Sequence, residues 1–496
     1  MNSNLIDIPS ELYQSITANL NNNAFCIDEK YYSYKDLSIM SGQIMKLIRE
    51  NNFNKVAIFT ENNISTYAAI VAVFLCGKTF IPIHPDNPSE RNAYVIEQSN
   101  ADVILTSSDL NFNTKCFVKR IDNLNEIQSD FILKTYCCND IAYVLFTSGS
   151  TGNPKGVPIS YSNLGAFLKG FFATGIELNS SDRVLQMFHL TFDLSLCSYM
   201  TGLLHGCCIY TIPSVEVKYV AVFETLENYD ISFAIMVPSI ISYLRPYFEE
   251  INLPALRYNV FCGEALYKDL VEEWQKSVPN ARIFNVYGPT EDIICTSYEL
   301  PKESVKSDNG IVCVGKPMLN NIVEVFDEQG QILPQCSKGE FCLAGPHLTK
   351  GYINEKEKND SLFFIYNYNG NATRFYKSGD IGYIDEIGDC FYLGRNDYQV
   401  KVSGGYRVEL SEVEYVAMKV LPNTRLVALS KLKDAGVSVI HIIVENAEDK
   451  IEELKQSLKK LLPDYMQPDD YHNLPVFPLN SNGKIDRKKI FEIVFS

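Results

Sequence analysis

The sequence predicts an α/β protein: a large N-terminal domain of doubly wound sheets with a small β-barrel, followed by a small α+β C-terminal domain. Three observations carry this expectation. Short β-rich apolar runs alternate with longer amphipathic stretches through the first two-thirds of the chain. From Val312 to Leu393 the segments shorten, read as β and are punctuated by Gly330, Gly339, Gly345, Gly379, Gly382 and Gly388. The remaining C-terminal stretch then carries a helix–strand–strand–helix pattern of its own.

The alternation begins with Val56–Thr60 as a strand and Ser65–Cys76 as a buried helix, followed by strands at Val103–Thr106 and Ile141–Phe146. Cys208–Ile212, Phe233–Val237 and Tyr258–Cys262 continue as strands, and Ser239–Phe248 and Tyr267–Ser277 as helices. Strand–helix repetition of this kind builds parallel sheets covered on both faces. The glycine-punctuated segments after Gly310 suit antiparallel strands or a small barrel. In the last unit a helix starts at Ser411-Glu412-Val413-Glu414, strands cover Arg425–Leu432 and Val437–Val444, and Ile451, Leu454, Leu458 and Leu461 share one helical face. The entry to this unit lies near Gly394-Arg395-Asn396-Asp397, which divides the chain into residues 1–396 and 397–496.

Bulk composition narrows the function. The 496 residues are 46% hydrophobic, ample for real cores, and 44 basic against 60 acidic residues give a net charge of −16. That balance argues against sequence-independent binding to nucleic acid or anionic lipid, so any nucleotide must be held by local groups. Fourteen cysteines include the adjacent pairs Cys137-Cys138 and Cys207-Cys208 but no C-x-x-C, which reads as reduced thiols in a cytoplasm. The six histidines are too dispersed to suggest a zinc site. The N-terminus has no basic region leading into an apolar core, and the longest apolar stretch, Ala68 to Cys76, is about half a membrane span. No membrane association is expected.

Chemistry concentrates first in Thr147-Ser148-Gly149-Ser150-Thr151-Gly152-Asn153-Pro154-Lys155-Gly156, directly after a buried strand. Small residues let the backbone approach an anion, successive N–H groups and hydroxyls can point inward, and Lys155 adds a fixed positive charge. The run fails the Walker pattern, because Pro154 precedes the lysine and Gly156 follows it. Asn285-Val286-Tyr287-Gly288-Pro289-Thr290-Glu291 follows the strand at Arg282–Phe284, where α/β sheets place their ligands. Tyr376-Lys377-Ser378-Gly379-Asp380 and Gly394-Arg395-Asn396-Asp397 supply a turn-held aspartate able to accept from ribose hydroxyls and an arginine able to donate to sugar or phosphate. Asn480-Ser481-Asn482-Gly483-Lys484-Ile485-Asp486-Arg487 presents a lysine in a turn near the end.

In this order, from Ile141 to Arg487, these motifs closely resemble the adenylate-forming superfamily of acyl-CoA synthetases, luciferases and amino-acid adenylation domains. The resemblance implies a large N-terminal domain and a small mobile C-terminal one that pivots at a hinge matching Asp397. It implies that ATP is held by Thr147, Ser148, Gly149, Ser150, Thr151, Gly152, Lys155, Asn285, Tyr287, Asp380 and Arg395. Glu291 would hold Mg²⁺, Thr290 would bond phosphate, and Lys484 would bridge carboxylate and α-phosphate. Gly404-Gly405-Tyr406-Arg407-Val408-Glu409-Leu410 matches the segment after the hinge with one residue more than the usual pattern, which leaves open which glycine borders the thiol's path.

The substrate class turns on His189-Leu190-Thr191-Phe192-Asp193-Leu194-Ser195. In amino-acid-activating members the Phe-Asp of this stretch places a carboxylate against the substrate's ammonium, and Asp193 fits; on the residues alone, Asp193 could equally cap a helix. Phe261-Cys262-Gly263-Glu264 is similar to D-alanine–carrier protein ligases, in which the cysteine lines a tight pocket, and this favours a small amino acid. His189 either gates that pocket or belongs to the core. The expected reaction is ATP-dependent formation of an aminoacyl-adenylate, then transfer to the phosphopantetheine thiol of a separate carrier protein, because little chain follows Lys484. A carrier of this type is acidic, and Lys455, Lys459, Lys460, Arg487, Lys488 and Lys489 are candidates to receive it. An aryl- or acyl-CoA ligase would share every ATP residue.

Overall fold

The computed structural model describes residues 5–122, 124, 131–133, 136–149, 153–213, 218–395, 399–422, 424–433, 437–478 and 485–495. Two mixed sheets form the large N-terminal unit. The first has nine strands, with a parallel centre running Asn23–Ile27, Cys208–Thr211, Arg183–Gln186, Phe233–Met236, Tyr258–Phe261 and Arg282–Tyr287. Antiparallel strands close its edges: Lys30–Ser33 on one side, Thr296–Glu299 and Lys316–Pro317 on the other. The second sheet orders Phe117–Arg120, Val103–Thr106, Lys55–Phe59, Thr79–Ile83, Ile141–Thr147 and Lys155–Ser160, all parallel except the last pair. The predicted strands and helices of this region recur with shifts of a residue or so at their ends, except that the helix expected over Ser239–Phe248 is an α-helix at Pro238–Leu244 continued by a 3₁₀ turn at Arg245–Tyr247.

Helix Ile64–Leu75 shows why the sheets are doubly covered. Nearly every one of its residues is buried, as an apolar surface on all sides requires. One cluster reaching from Ile8 to Cys390 joins both sheets and their helices. Beside it, Ile322–Phe326, Gly339–Ala344, Phe363–Tyr368, Asn371–Ile384 and Cys390–Arg395 make the β-rich module as a five-stranded antiparallel sheet.

The C-terminal unit has its own core, in which Val408, Val413, Ala417, Ile442, Leu454 and Leu458 meet. Strands Leu426–Leu432 and Ser438–Glu445 pair antiparallel, and helix Ile451–Leu461 buries Leu454 and Leu458. A hairpin of Gln399–Val402 and Tyr406–Glu409 projects from this unit toward the larger one. Its turn is Ser403-Gly404-Gly405, with both glycines at positive φ (+85° and +75°), and this three-residue turn absorbs the additional residue noted in the sequence. All fourteen cysteines are free and most are buried. Among the described residues no helix is long and apolar enough to cross a membrane.

Candidate active site

The Gly/Ser/Thr loop joins the antiparallel strands Ile141–Thr147 and Lys155–Ser160, so Lys155 is the first residue of a strand and not part of the loop's free arc. Register with Thr147 fixes its backbone, and its side chain is buried with the ammonium 5.1 Å from the centre of the Tyr352 ring. Ser150, Thr151 and Gly152 lie outside the described residues.

The described part of the loop is engaged by the C-terminal hairpin. Ser148 Oγ donates to the Arg407 carbonyl (2.8 Å) and accepts from the Glu409 N–H (3.1 Å), and the Gly149 N–H donates to Glu412 Oε2 (3.0 Å). Glu412 is also paired with Arg91 at 2.6 Å, and Glu409 stands 3.7 Å from Lys155. Glu291, fully buried, pairs with Arg407 at 2.9 Å and accepts from the Tyr352 hydroxyl. Burial alone would raise its carboxyl, but Arg407 and Lys155 outweigh that and hold it at about 2. Lys155 moves the other way, lowered to about 8 by burial and by Arg407 despite Glu291 and Glu409. Carboxylates of the C-terminal unit thus sit at the backbone donors and the lysine that the sequence marked for an anion.

The other end of the cleft is built differently. Asp193 is the first residue of helix Asp193–Leu203, Phe192 holds the cap position, and the carboxylate accepts the Leu194 N–H at 2.8 Å. Thr290, expected at phosphate, lines the same cavity as Asp193 and acts to lower its carboxyl. Among the described residues no basic side chain forms a salt bridge with Asp193, and burial, with Glu291 adding to it, raises its carboxyl above the ordinary range despite Lys401 nearby. It lines a small cavity of about 50 Å³ with Thr147, Thr290, Arg407 and Tyr465.

Cys262 lines a separate cavity of about 320 Å³ with Asn285, Tyr287, Arg395 and Lys401. Burial lifts its thiol to about 12. Asn285 Nδ2 donates to the carbonyls of Val312 and Cys313. Asp380 stands behind the cavity wall: Arg395 donates to it at 2.6 Å, and the Tyr287 hydroxyl donates to its other oxygen. His189 faces neither space. It stacks on His84 at 4.3 Å, meets Tyr406 edge-on and lines a third cavity with Lys218 and Gln186, and burial lowers it to about 2, so the ring is neutral. The three residues assigned to the substrate therefore open onto three cavities in this arrangement. Asp397 and Lys484 lie outside the described residues.

A family model described as AMP-binding enzyme matches residues 13–353. The chain belongs to the AMP-binding enzyme family. This AMP-binding enzyme is 28% identical over 489 residues to D-alanine--D-alanyl carrier protein ligase of Bacillus licheniformis, covering 95% of this chain and 96% of that protein. It is 32% identical to Zwittermicin A synthase ZmaJ of Bacillus cereus, with 92% of this chain and 89% of that protein covered. Bacitracin synthase 3 of Bacillus licheniformis is 29% identical over 95% of this chain, but the chain spans only 7% of that protein's length. Among solved structures, the Vibrio cholerae adenylation domain AlmE in complex with glycyl-adenosine-5'-phosphate matches with a TM-score of 0.85 at 26% identity, covering 98% and 97% of the two chains. The AMP-binding enzyme thus falls in the adenylate-forming superfamily, beside nonribosomal peptide synthetase adenylation domains.

Sequence reasoning missed the cross-unit partners of this AMP-binding enzyme, Arg91, Glu264, Arg407, Glu409 and Glu412, and the hydroxyl that Tyr352 donates to Glu291. Three of them lie in or beside Gly404–Leu410, whose run of alternating charges was the available signal. Gly405 is the glycine that borders the larger unit. Its N–H donates to Glu264 Oε1 at 3.0 Å, and a β-carbon there would meet Val237 Cγ1 at 2.8 Å and Gly263 Cα at 3.5 Å. Gly404 faces its own hairpin instead, against the Tyr406 ring.

Proposed function

We propose that this protein activates a small amino acid as its aminoacyl-adenylate and passes the aminoacyl group to the phosphopantetheine thiol of a separate carrier protein. The observation that carries the reading is Asp193, a buried carboxylate in the cleft with no salt-bridge partner among the described residues, Lys401 acting on it only from a distance. A buried unpaired charge costs several kcal/mol, and an ammonium group arriving with the substrate supplies the missing partner. A simple carboxylic acid leaves it unpaired. Small size is supported by Cys262 at a strand end beside the cleft and by relatives whose names specify D-alanine and glycyl-adenosine phosphate.

The nucleotide fits the residues present. The Thr147 hydroxyl is buried without a hydrogen-bond partner among the described residues, and Ser148, Gly149 and Lys155 offer further donors beside it. Asn285, Tyr287 and Arg395 line the neighbouring cavity, with Asp380 behind the last two, and there the sugar and base would lie. Glu291, held as a carboxylate, is an oxygen ligand suited to Mg²⁺, and that ion would supply neutralisation of polyphosphate charge. The amino-acid carboxylate attacks the α-phosphorus and pyrophosphate leaves; Lys484 would stabilise the charge that builds there. The thiol then attacks the acyl carbon and AMP leaves. Arg407, Glu409 and Glu412 must withdraw from Glu291, Lys155 and Gly149 for ATP to enter, so the first step needs a different placement of the C-terminal unit. We place its boundary at 396/397 with Asp397 as the pivot, and its work in the cytoplasm.

The test is ATP–pyrophosphate exchange with a panel of amino acids in both enantiomers, alongside simple acids. Exchange driven by one or a few small amino acids, and lost in Lys484→Ala with ATP binding retained, supports the reading. Exchange driven by simple acids alone would replace it with an acyl- or aryl-CoA ligase.

A further inference from the structure

Strands Ser438–Glu445 and Asp470–Leu474 run parallel, with His441 in register with Asp470 and Ile443 with His472. Residues two apart on a strand share a face, so His441, Asp470 and His472 project from the same side of this sheet edge. Residues 31 positions apart in the chain are thereby brought together. His441 Nδ1 lies 3.0 Å from His472 Nε2, which is 3.8 Å from Asp470 Oδ2, and one ligand atom from each residue falls within 4.8 Å of the others. We propose that these three residues bind a divalent transition-metal ion of the zinc class.

The donor set is right for that ion: two imidazole nitrogens and one carboxylate oxygen, with room for water in the remaining position. Metal–nitrogen bonds of about 2.0–2.1 Å place tetrahedral ligands roughly 3.3 Å apart, close to the separation of the two rings. The burial is graded. His441 is only 8% exposed, the His472 side chain 27% and the Asp470 side chain 63%, which gives a fixed base and a solvent-open rim. His441 Nε2 is buried with no hydrogen-bond partner among the described residues. Two neutral imidazoles meeting nitrogen to nitrogen satisfy each other only by sharing one proton. A metal ion takes the facing lone pair of each ring instead.

The apolar shell comes from the last helix, Arg487–Phe495. Phe495 packs edge-on against His441 at 4.7 Å and His472 at 5.7 Å, so an ion here ties the two strands together beneath that helix. None of the three residues lines the three cavities of the cleft, and nitrogen ligands set this site apart from the oxygen site proposed at Glu291. The inference stands whether or not the amino-acid reading does.

The experiment uses the full chain without an affinity tag, freed of metal by chelation and titrated with Zn²⁺ by calorimetry and with Co²⁺ by absorption. The expected result is one equivalent bound, a Co²⁺ visible spectrum without a thiolate charge-transfer band, and a thermal midpoint that rises with Zn²⁺. His472→Ala and Asp470→Asn, both at the exposed rim, should each weaken binding by at least about tenfold. Unchanged affinity in both variants, a thiolate band from the cysteines, or no binding at micromolar Zn²⁺ each overturns the proposal.

Discussion

The two ends of the cleft handle buried charge in opposite ways. At the loop end three charges are answered without any ligand: Glu291 by Arg407 and Tyr352, Lys155 by Glu409, and Glu412 by Arg91 and the Gly149 N–H. At the other end Asp193 accepts the Leu194 N–H and has no salt-bridge partner among the described residues, and burial works against its charge. The difference lies in who supplies the partner. At the loop end the partner is another part of the same chain, whereas at the Asp193 end the function proposed above assigns that part to the substrate's ammonium.

The sharpest break of this comparison is Asp193→Asn. Removing one member of a buried ion pair costs about 3 kcal/mol, or over a hundredfold. The kcat/KM for the amino acid in pyrophosphate exchange should fall by that much while the KM for ATP stays within a few fold. An equal loss for both substrates would assign Asp193 a structural role.

Arg407→Ala addresses the opposite end. Transfer of the aminoacyl group to a thiol acceptor should slow by roughly tenfold or more, because Glu291 loses the cation that seats the hairpin. Exchange, which needs the hairpin withdrawn, should change by no more than a few fold. A uniform loss in both half-reactions would show that the pairing does not distinguish the two arrangements.

Gly405→Ala is a milder probe of the same docking. The added methyl meets Val237 and is strained at φ +75°, a cost of about 1–2 kcal/mol, so transfer should slow by roughly fivefold to thirtyfold with exchange spared. Gly404→Ala meets only the Tyr406 ring of its own hairpin and serves as the control for backbone strain.

The smallest effect concerns pH and stability. Because the folded carboxyl of Asp193 is raised above its unfolded value, the folded chain binds the extra proton, and this group costs stability as pH rises through that window. The cost is absent below the ordinary carboxylate range, where both states are protonated. Asp193→Asn should therefore raise the melting midpoint at neutral pH by about a degree or two, and the gain should shrink in acid. In the wild type, kcat/KM for the amino acid should fall on acidification before that for ATP.

Much of this was legible in the sequence because it is local. Hydrophobic period and glycine punctuation gave the strands and helices, and Asp193, Thr290 and Glu291 stand at strand or helix ends where short runs place them. The longer helix expected over Ser239–Phe248 failed at Arg245-Pro246, where proline tightens the last turn into a 3₁₀. The loop was legible as an anion cradle, but its return as an antiparallel strand was not, since pairing partners are not written in either segment alone.

The sequence by itself determined the element types, the family motifs and the residues able to hold charge, for these follow from side-chain chemistry over a few positions. Only the tertiary structure decided that Arg407 would answer Glu291, that Gly405 and not Gly404 would border the larger unit, that Asp193 would be buried with no salt-bridge partner among the described residues, and that His441 would stand beside His472. Each is a matter of distance between segments far apart in the chain, and such distances exist only once the cores have packed.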